Sequence, residues 1–305
     1  DKSREAQTLI FIGNAFAGLG DYASALRQYN LGLYINQEIQ DKQGISDAFV
    51  NLGLSFQRMG EYTKAIEYYN QSFSLKREIG DIFGEARVLQ NIATIHLSQG
   101  QFADAVKILN ECKTIFETIK DKQGLSMVHT NIGAAHLRLG DYSRAMVHFE
   151  SALTIQKEIG DPVGEARSLA YLGSTFLRLK DNQGAIEKYQ TALILQQKNS
   201  DTSTISQTLL GLGSAYLEDE QYDNAQECFS QSLEYQHAAG DRFGASRSLG
   251  NLCRIFLQRL DYVKALECLQ QAMIFHKQLS DREGEAESLL YLGEYLCSVR
   301  KIEFS

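Results

Sequence analysis

An aspartate recurs every forty residues, at Asp41, Asp81, Asp121, Asp161, Asp201, Asp241 and Asp281. Gly13, Gly53, Ala93, Gly133, Gly173, Gly213, Cys253 and Gly293 keep the same spacing. An unbroken alanine ladder follows twelve residues later, at Ala25, Ala65, Ala105, Ala145, Ala185, Ala225 and Ala265. A constant period of this size restricts the chain to a stacked array in which each unit packs on its neighbours. One proline in 305 residues, and no alternating apolar stretch, makes each unit helical.

The unit Asp81–Lys120 is representative. Asp81 can accept hydrogen bonds from free backbone amides and so cap a helix predicted over 82–99. Leu89, Ile92, Ala93, Ile95, His96 and Leu97 crowd its core side, and Gly100 ends it. Phe102 and Ala105 open a second helix that runs to about Ile119. Small residues at the two ladder positions let the paired helices approach closely. Tyr29, Tyr69, Leu109, Phe149, Tyr189, Phe229 and Leu269 fill the space beside them. Lys180, Glu220, Leu260 and Arg300 replace the interhelical glycine of the first four units, which predicts a less regular second half. The linker 199–204 lacks its glycine and is predicted to be the most mobile turn.

Composition narrows function. The net charge of −8 argues against a nucleic-acid partner. No apolar run approaches the roughly 18 residues of a membrane span, so no membrane insertion is expected. The five cysteines form no C-x-x-C pair and read as reduced core thiols of a cytoplasmic protein. Phosphate loops, nucleophile elbows and H-E-x-x-H zinc sites are missing from the sequence. His96 and His136 occupy the core position held elsewhere by Phe16, Phe56 and Phe176. His129, His148, His237 and His276 show no cluster at ligand spacing. The chain is therefore expected to be no enzyme and to need no cofactor and no metal. It begins without methionine, which suggests a fragment of a larger protein.

The run Asn51-Leu52-Gly53 through Phe56, Gly60-Glu61-Tyr62, Ala65, Tyr69 and Ser72 resembles the tetratricopeptide repeat signature. The resemblance spans the chain as repeats at roughly 1–40, 41–80, 81–120, 121–160, 161–200, 201–240, 241–280 and a partial 281–305. The forty-residue period and the linker Gly80-Asp81-Ile82-Phe83-Gly84-Glu85-Ala86, echoed over 160–166, resemble the long-repeat branch of the Pins/LGN polarity adaptors and kinesin light chains. The resemblance implies an all-α fold: a right-handed α-solenoid of about 7.5 helix-turn-helix repeats, forming a single superhelical domain over 1–305.

It also implies that the first helix of each repeat carries the binding positions. Carried onto this sequence, those positions hold Arg58, Arg87, Arg138, Arg167, Arg178, Arg247 and Arg254, against the acids Asp47, Glu218, Glu287 and Glu294. Asn51, Asn91, Asn131 and Asn251 form an amide ladder beside them, with Tyr171 and Tyr291 at equivalent positions. In the family, such asparagines hold a peptide backbone beside basic residues. Arginine's flat fork suits a carboxylate, and an amide both donates and accepts. The expected partner is therefore a protein or peptide, extended and acidic, including a segment of the same protein. The competing expectation for the arginines is pairing with acids such as Glu85 and Glu165. Two other roles compete: a regulatory or sensor array in a larger effector, and a spacer that stacks through exposed aromatics such as Tyr34 and Tyr68.

Overall fold

A computed structural model describes the backbone of residues 1–199 and 202–303, and side chains throughout these except at 202, 203, 287 and 294–303. Of the predicted mobile turn at 199–204, residues 200 and 201 lie outside the described residues. Among the described residues there are fifteen helices, seven consecutive pairs and a last unpaired one. The first four pairs are α1 (Lys2–Gly18) with α2 (Tyr22–Glu38), α3 (Lys42–Arg58) with α4 (Tyr62–Ile79), α5 (Ile82–Ser98) with α6 (Phe102–Ile119), and α7 (Lys122–Arg138) with α8 (Tyr142–Ile159). Next come α9 (Pro162–Arg178) with α10 (Asn182–Lys198), α11 (Thr202–Glu218) with α12 (Tyr222–Ala239), α13 (Arg242–Gln258) with α14 (Tyr262–Leu279), and α15 (Arg282–Glu303). Among the described residues there is no strand. The chain divides into two compact units, Asp1–Ile155 and Gln156–Ser305.

The aspartate ladder does what its chemistry predicts. Asp41, Asp81, Asp161 and Asp241 each accept a hydrogen bond from the amide of a glycine three residues on, at 2.8–3.0 Å. Each bond satisfies an otherwise orphaned amide in the first helical turn. The turn between paired helices is left-handed whichever residue fills it. Gly20, Gly60, Gly100 and Gly140 have φ of 74–80°, and Lys180, Glu220 and Leu260 have φ of 59–63°. The predicted irregularity of the second half therefore does not extend to the backbone of these three turns.

The small anchors are matched to their partners. A Cβ on Gly13, Gly53, Gly133, Gly173 or Gly213 would lie 2.5–2.9 Å from the aromatic ring sixteen residues on. Those rings belong to Tyr29, Tyr69, Phe149, Tyr189 and Phe229. Where the anchor is Ala93 or Cys253, the partner is a leucine, Leu109 or Leu269, packed in the same core cluster. A ring demands glycine, whereas the slimmer leucine tolerates a methyl or thiol. Gly133→Ala is expected to cost roughly 1–3 kcal/mol by overpacking against the fully buried Phe149. Phe149→Leu should recover part of that loss. Urea midpoints of both single variants and the double variant measure this, and simple additivity would sink the pairing.

Cys112, Cys228 and Cys253 are buried, Cys268 is half-buried, and none of these four is in a disulfide. Burial pushes the Cys112 and Cys228 thiols up to about 12 and that of Cys268 up to about 11, so these three stay protonated. No helix among the described residues is long and apolar enough to cross a membrane.

Candidate peptide-binding sites

All twelve candidate residues lie on the first helix of a pair. Asn51 and Arg58 are on α3, Arg87 and Asn91 on α5, and Asn131 and Arg138 on α7. Arg167, Tyr171 and Arg178 are on α9, and Arg247, Asn251 and Arg254 on α13. The capping aspartate fixes where each helix starts, so the same register aims equivalent side chains in successive repeats. The seven arginines are exposed, whereas the four asparagines and Tyr171 are half-buried.

In the first unit, a pocket of about 650 Å³ gathers Asn51, Arg87 and Asn91 with Phe11 and Phe83. A second of about 360 Å³ gathers Asn51 and Arg58 beside Tyr29. In the second unit, a pocket of about 770 Å³ brings together Arg178, Arg247 and Arg254 with Lys180. Asn131, Arg138, Arg167, Tyr171 and Asn251 lie outside these three pockets.

The expected pairing of the arginines with acids is found once among the described residues. Arg254 lies 3.5 Å from Glu218. Glu85 instead sits 3.7 Å from Arg77, on the preceding helix and outside the candidate set. Arg87 and Arg138 rest over the rings of Phe83 and Phe102, at 5.9 and 5.8 Å. Such stacking leaves the guanidinium edge free to donate. Arg58, Arg87, Arg138, Arg167, Arg178 and Arg247 make no ion pair among the described residues.

Three features were not anticipated. Lys76 is buried, at 5% exposure, in the floor of the first pocket. Its Nζ donates to Asp47 Oδ1 and Asp81 Oδ2, each at 2.9 Å. Burial alone would lower its pKa, but the two carboxylates outweigh burial and hold it above the ordinary lysine value. The position was legible as a ladder, since Asn36, Lys76, Phe116, Gln156, Gln196, Gln236 and His276 are forty residues apart.

The second is a contact between histidines of neighbouring helices: His129 and His148 have their Nδ1 atoms 3.1 Å apart. The buried His136 ring stacks on His148, with centroids 5.8 Å apart. Among the described residues, no group of three or more His, Cys, Asp or Glu is arranged to hold a metal ion. Tyr68, expected to be exposed, is half-buried and stacks on Phe56 at 5.5 Å, whereas Tyr34 is 60% exposed.

The family model described as tetratricopeptide repeat matches residues 44–118, 124–198 and 204–273. No curated protein matches the chain in sequence. Among solved structures, the chain is similar to a signal transduction ATPase with a tetratricopeptide repeat sensor from Pyrococcus horikoshii. That match has a TM-score of 0.79 and 14% identity, and covers 94% of this chain and 44% of that one. It is also similar to a Rap protein complexed with competence and sporulation factor, with a TM-score of 0.61 and 16% identity, covering 91% and 76% of the two chains. A kinesin light chain repeat protein from Podosopora anserina matches with a TM-score of 0.53 and 19% identity, over 64% of this chain and 95% of that one. At these identities the likeness is one of fold. It extends to kinesin light chain-like repeats, and a specific likeness to the Pins/LGN adaptors is not shown.

Proposed function

The chain belongs to the tetratricopeptide repeat family, and from that premise we propose that it is a protein-interaction scaffold holding an extended, acid-containing segment of a partner. One observation carries this reading: six of the seven candidate arginines have no acidic partner among the described residues, although the chain is acidic overall. An exposed arginine without a partner is a recognition group still available to a ligand. The asparagines beside them supply donors and acceptors for a peptide backbone. The Rap protein, complexed with competence and sporulation factor, is in keeping with a ligand held by such a fold.

Magnitudes point to modest affinity. Charge-assisted bonds in a sheltered pocket contribute about 1.5–3 kcal/mol each, and exposed pairs roughly 0–1 kcal/mol. Set against the ordering of a flexible segment, a few such contacts give roughly micromolar binding. Changing Arg87, Arg167 and Arg247 together to glutamate is expected to remove a defined set of proteins from those captured by the wild-type chain in cell extract. Mass spectrometry of the two pull-downs reads this out. Identical lists, with unchanged circular dichroism, would reject the reading.

A second reading is a sensor array within a larger effector. It is favoured by the match of nearly the whole chain to less than half of an ATPase described as carrying a repeat sensor. The full reading frame separates the two, since a catalytic domain beside the array supports the sensor.

A further inference from the structure

The two units offer pockets of different charge. In the first, Lys76 and Arg87 face Asp41, Asp47 and Asp81, and Lys76 is already bonded to two of those carboxylates. In the second, Arg178, Lys180, Arg247 and Arg254 line the pocket with a single carboxylate, Glu218. Glu218 pairs with Arg254 at 3.5 Å, which leaves Arg178, Lys180 and Arg247 without an acidic partner among the described residues.

The wall of this pocket also departs from the ladder. Gly211 stands where other repeats carry the amide of Asn51, Asn91, Asn131 or Asn251. A Cβ on Gly211 would lie 2.5 Å from Cζ of Tyr189 and 2.7 Å from its hydroxyl oxygen. The Tyr189 ring therefore fills the space that a side chain here would need, and its hydroxyl reaches the pocket wall. Burial pushes this phenol up to about 12, so it remains a hydroxyl at neutral pH. This repeat therefore lacks the amide suited to a peptide backbone, and the pocket beside it is lined by cations.

We propose that this pocket receives a phosphorylated side chain of the bound segment rather than a carboxylate alone. The inference rests on the peptide-scaffold reading and names the chemistry of one of its subsites. A carboxylate carries one charge on two oxygens and would leave most of the pocket's positive charge uncompensated. A phosphate monoester carries about −1.5 to −2 near neutral pH and offers three acceptor oxygens. Three acceptor oxygens can engage two guanidinium forks and an ammonium together, and Arg178, Arg247 and Lys180 supply that donor set.

The test uses the whole chain and three bead-bound degenerate peptide pools, with phosphoserine, glutamate or serine fixed at the centre. The phosphoserine pool is expected to retain roughly tenfold more protein than the glutamate pool, with the preference shrinking as salt is raised. Arg178→Gln with Arg247→Gln should bring phosphoserine retention down to the serine level. Arg144→Gln, an exposed arginine outside the candidate set, should not. Circular dichroism checks that each variant is folded. Equal retention on phosphoserine and glutamate overturns the inference while leaving an acid-binding scaffold in place. Phosphoserine retention that survives the double substitution also overturns it, because the pocket is then not the site. Retention on no pool overturns it as well, and the extract pull-down then decides the scaffold reading on its own.

Discussion

Lys76→Met is expected to lower stability at neutral pH by roughly 2–3 kcal/mol, more than any single arginine substitution on the candidate faces. The ammonium is buried, and its two 2.9 Å bonds tie Asp47 on α3 to Asp81 at the start of α5. Asp81 also accepts from the Gly84 amide at 2.8 Å, so one carboxylate serves both the cap and the bridge. Methionine keeps the length but leaves two carboxylates without their cation. Removing one partner of a fully buried pair costs about 3–5 kcal/mol. Side-chain exposure of 51% at Asp47 and 28% at Asp81 lets water recover part of that, hence the smaller figure.

The pH dependence has a defined sign. Lys76 is held above its ordinary value, so its contribution is complete below the unfolded lysine pKa and lost as pH rises through the folded one. Burial would raise Asp81, but Lys76 and the Gly84 amide outweigh it and hold the carboxyl down. Its contribution is complete above the ordinary carboxylate range and lost as pH falls through the folded value. The bridge is therefore strongest from about pH 4 to about pH 10. Urea denaturation at pH 7 measures the loss. A variant within about 0.5 kcal/mol of wild type would mean that the bridge contributes little. Asp47→Asn combined with Asp81→Asn in the Lys76→Met background should restore part of the loss, because no unpaired charge then remains.

The helices were legible because their determinants are local. The predicted helix 82–99 is observed as Ile82–Ser98, and the second helix, predicted from Phe102 to about Ile119, is observed over Phe102–Ile119. Capping aspartates, left-handed turns and small anchors act over a few residues and recur at one period, so the repeat averages out the exceptions. Side-chain partnerships were harder to read because they cross between helices. Arg254 with Glu218, Lys2 with Glu38 and Lys42 with Glu78 are all 36 residues apart, one period less one helical turn. That spacing was available in the sequence, but choosing among several acids requires knowing which rotamers converge. The contact between His129 and His148 was not legible for a related reason. Position 129 belongs to one helix and position 148 to the next, and neither ladder repeats histidine.

Acidification from pH 7 to pH 5 is expected to cost roughly 1–2 kcal/mol through His129, His136 and His148. The second repeat supplies an internal control: Phe49, Phe56 and Tyr68 occupy the equivalent places, with ring centroids 6.0 and 5.5 Å apart. The fourth repeat holds the same arrangement in imidazoles, 5.1 and 5.8 Å apart. Neutral rings can share one proton across the 3.1 Å contact of His129 and His148, but two imidazolium rings cannot. Burial, then His129, His136 and Lys113, hold His148 down at about 4. Burial followed by Lys113 lowers His129, with Glu117 acting in the opposite direction. Burial also lowers His136, with Asp141 opposing and Arg144 assisting. Asp141 lies 3.8 Å from His136 Nδ1, which has no hydrogen-bond partner, so its opposition is incomplete.

For a base held below its unfolded pKa, the stability is present above that value and lost as pH falls. The loss here therefore begins near pH 6.5 and continues toward pH 4. A tenfold difference in proton affinity between the folded and unfolded chain is worth about 1.4 kcal/mol, and water reaching the partly exposed His129 and His148 keeps the sum small. Grafting the second repeat's set, as His129→Phe, His136→Phe and His148→Tyr, should flatten the profile between pH 5 and pH 7. Thermal melts of both chains across this range give the comparison. An unaltered slope in the grafted chain would place the acid sensitivity elsewhere, whereas a flattened one would make the fourth repeat the first to loosen as pH falls.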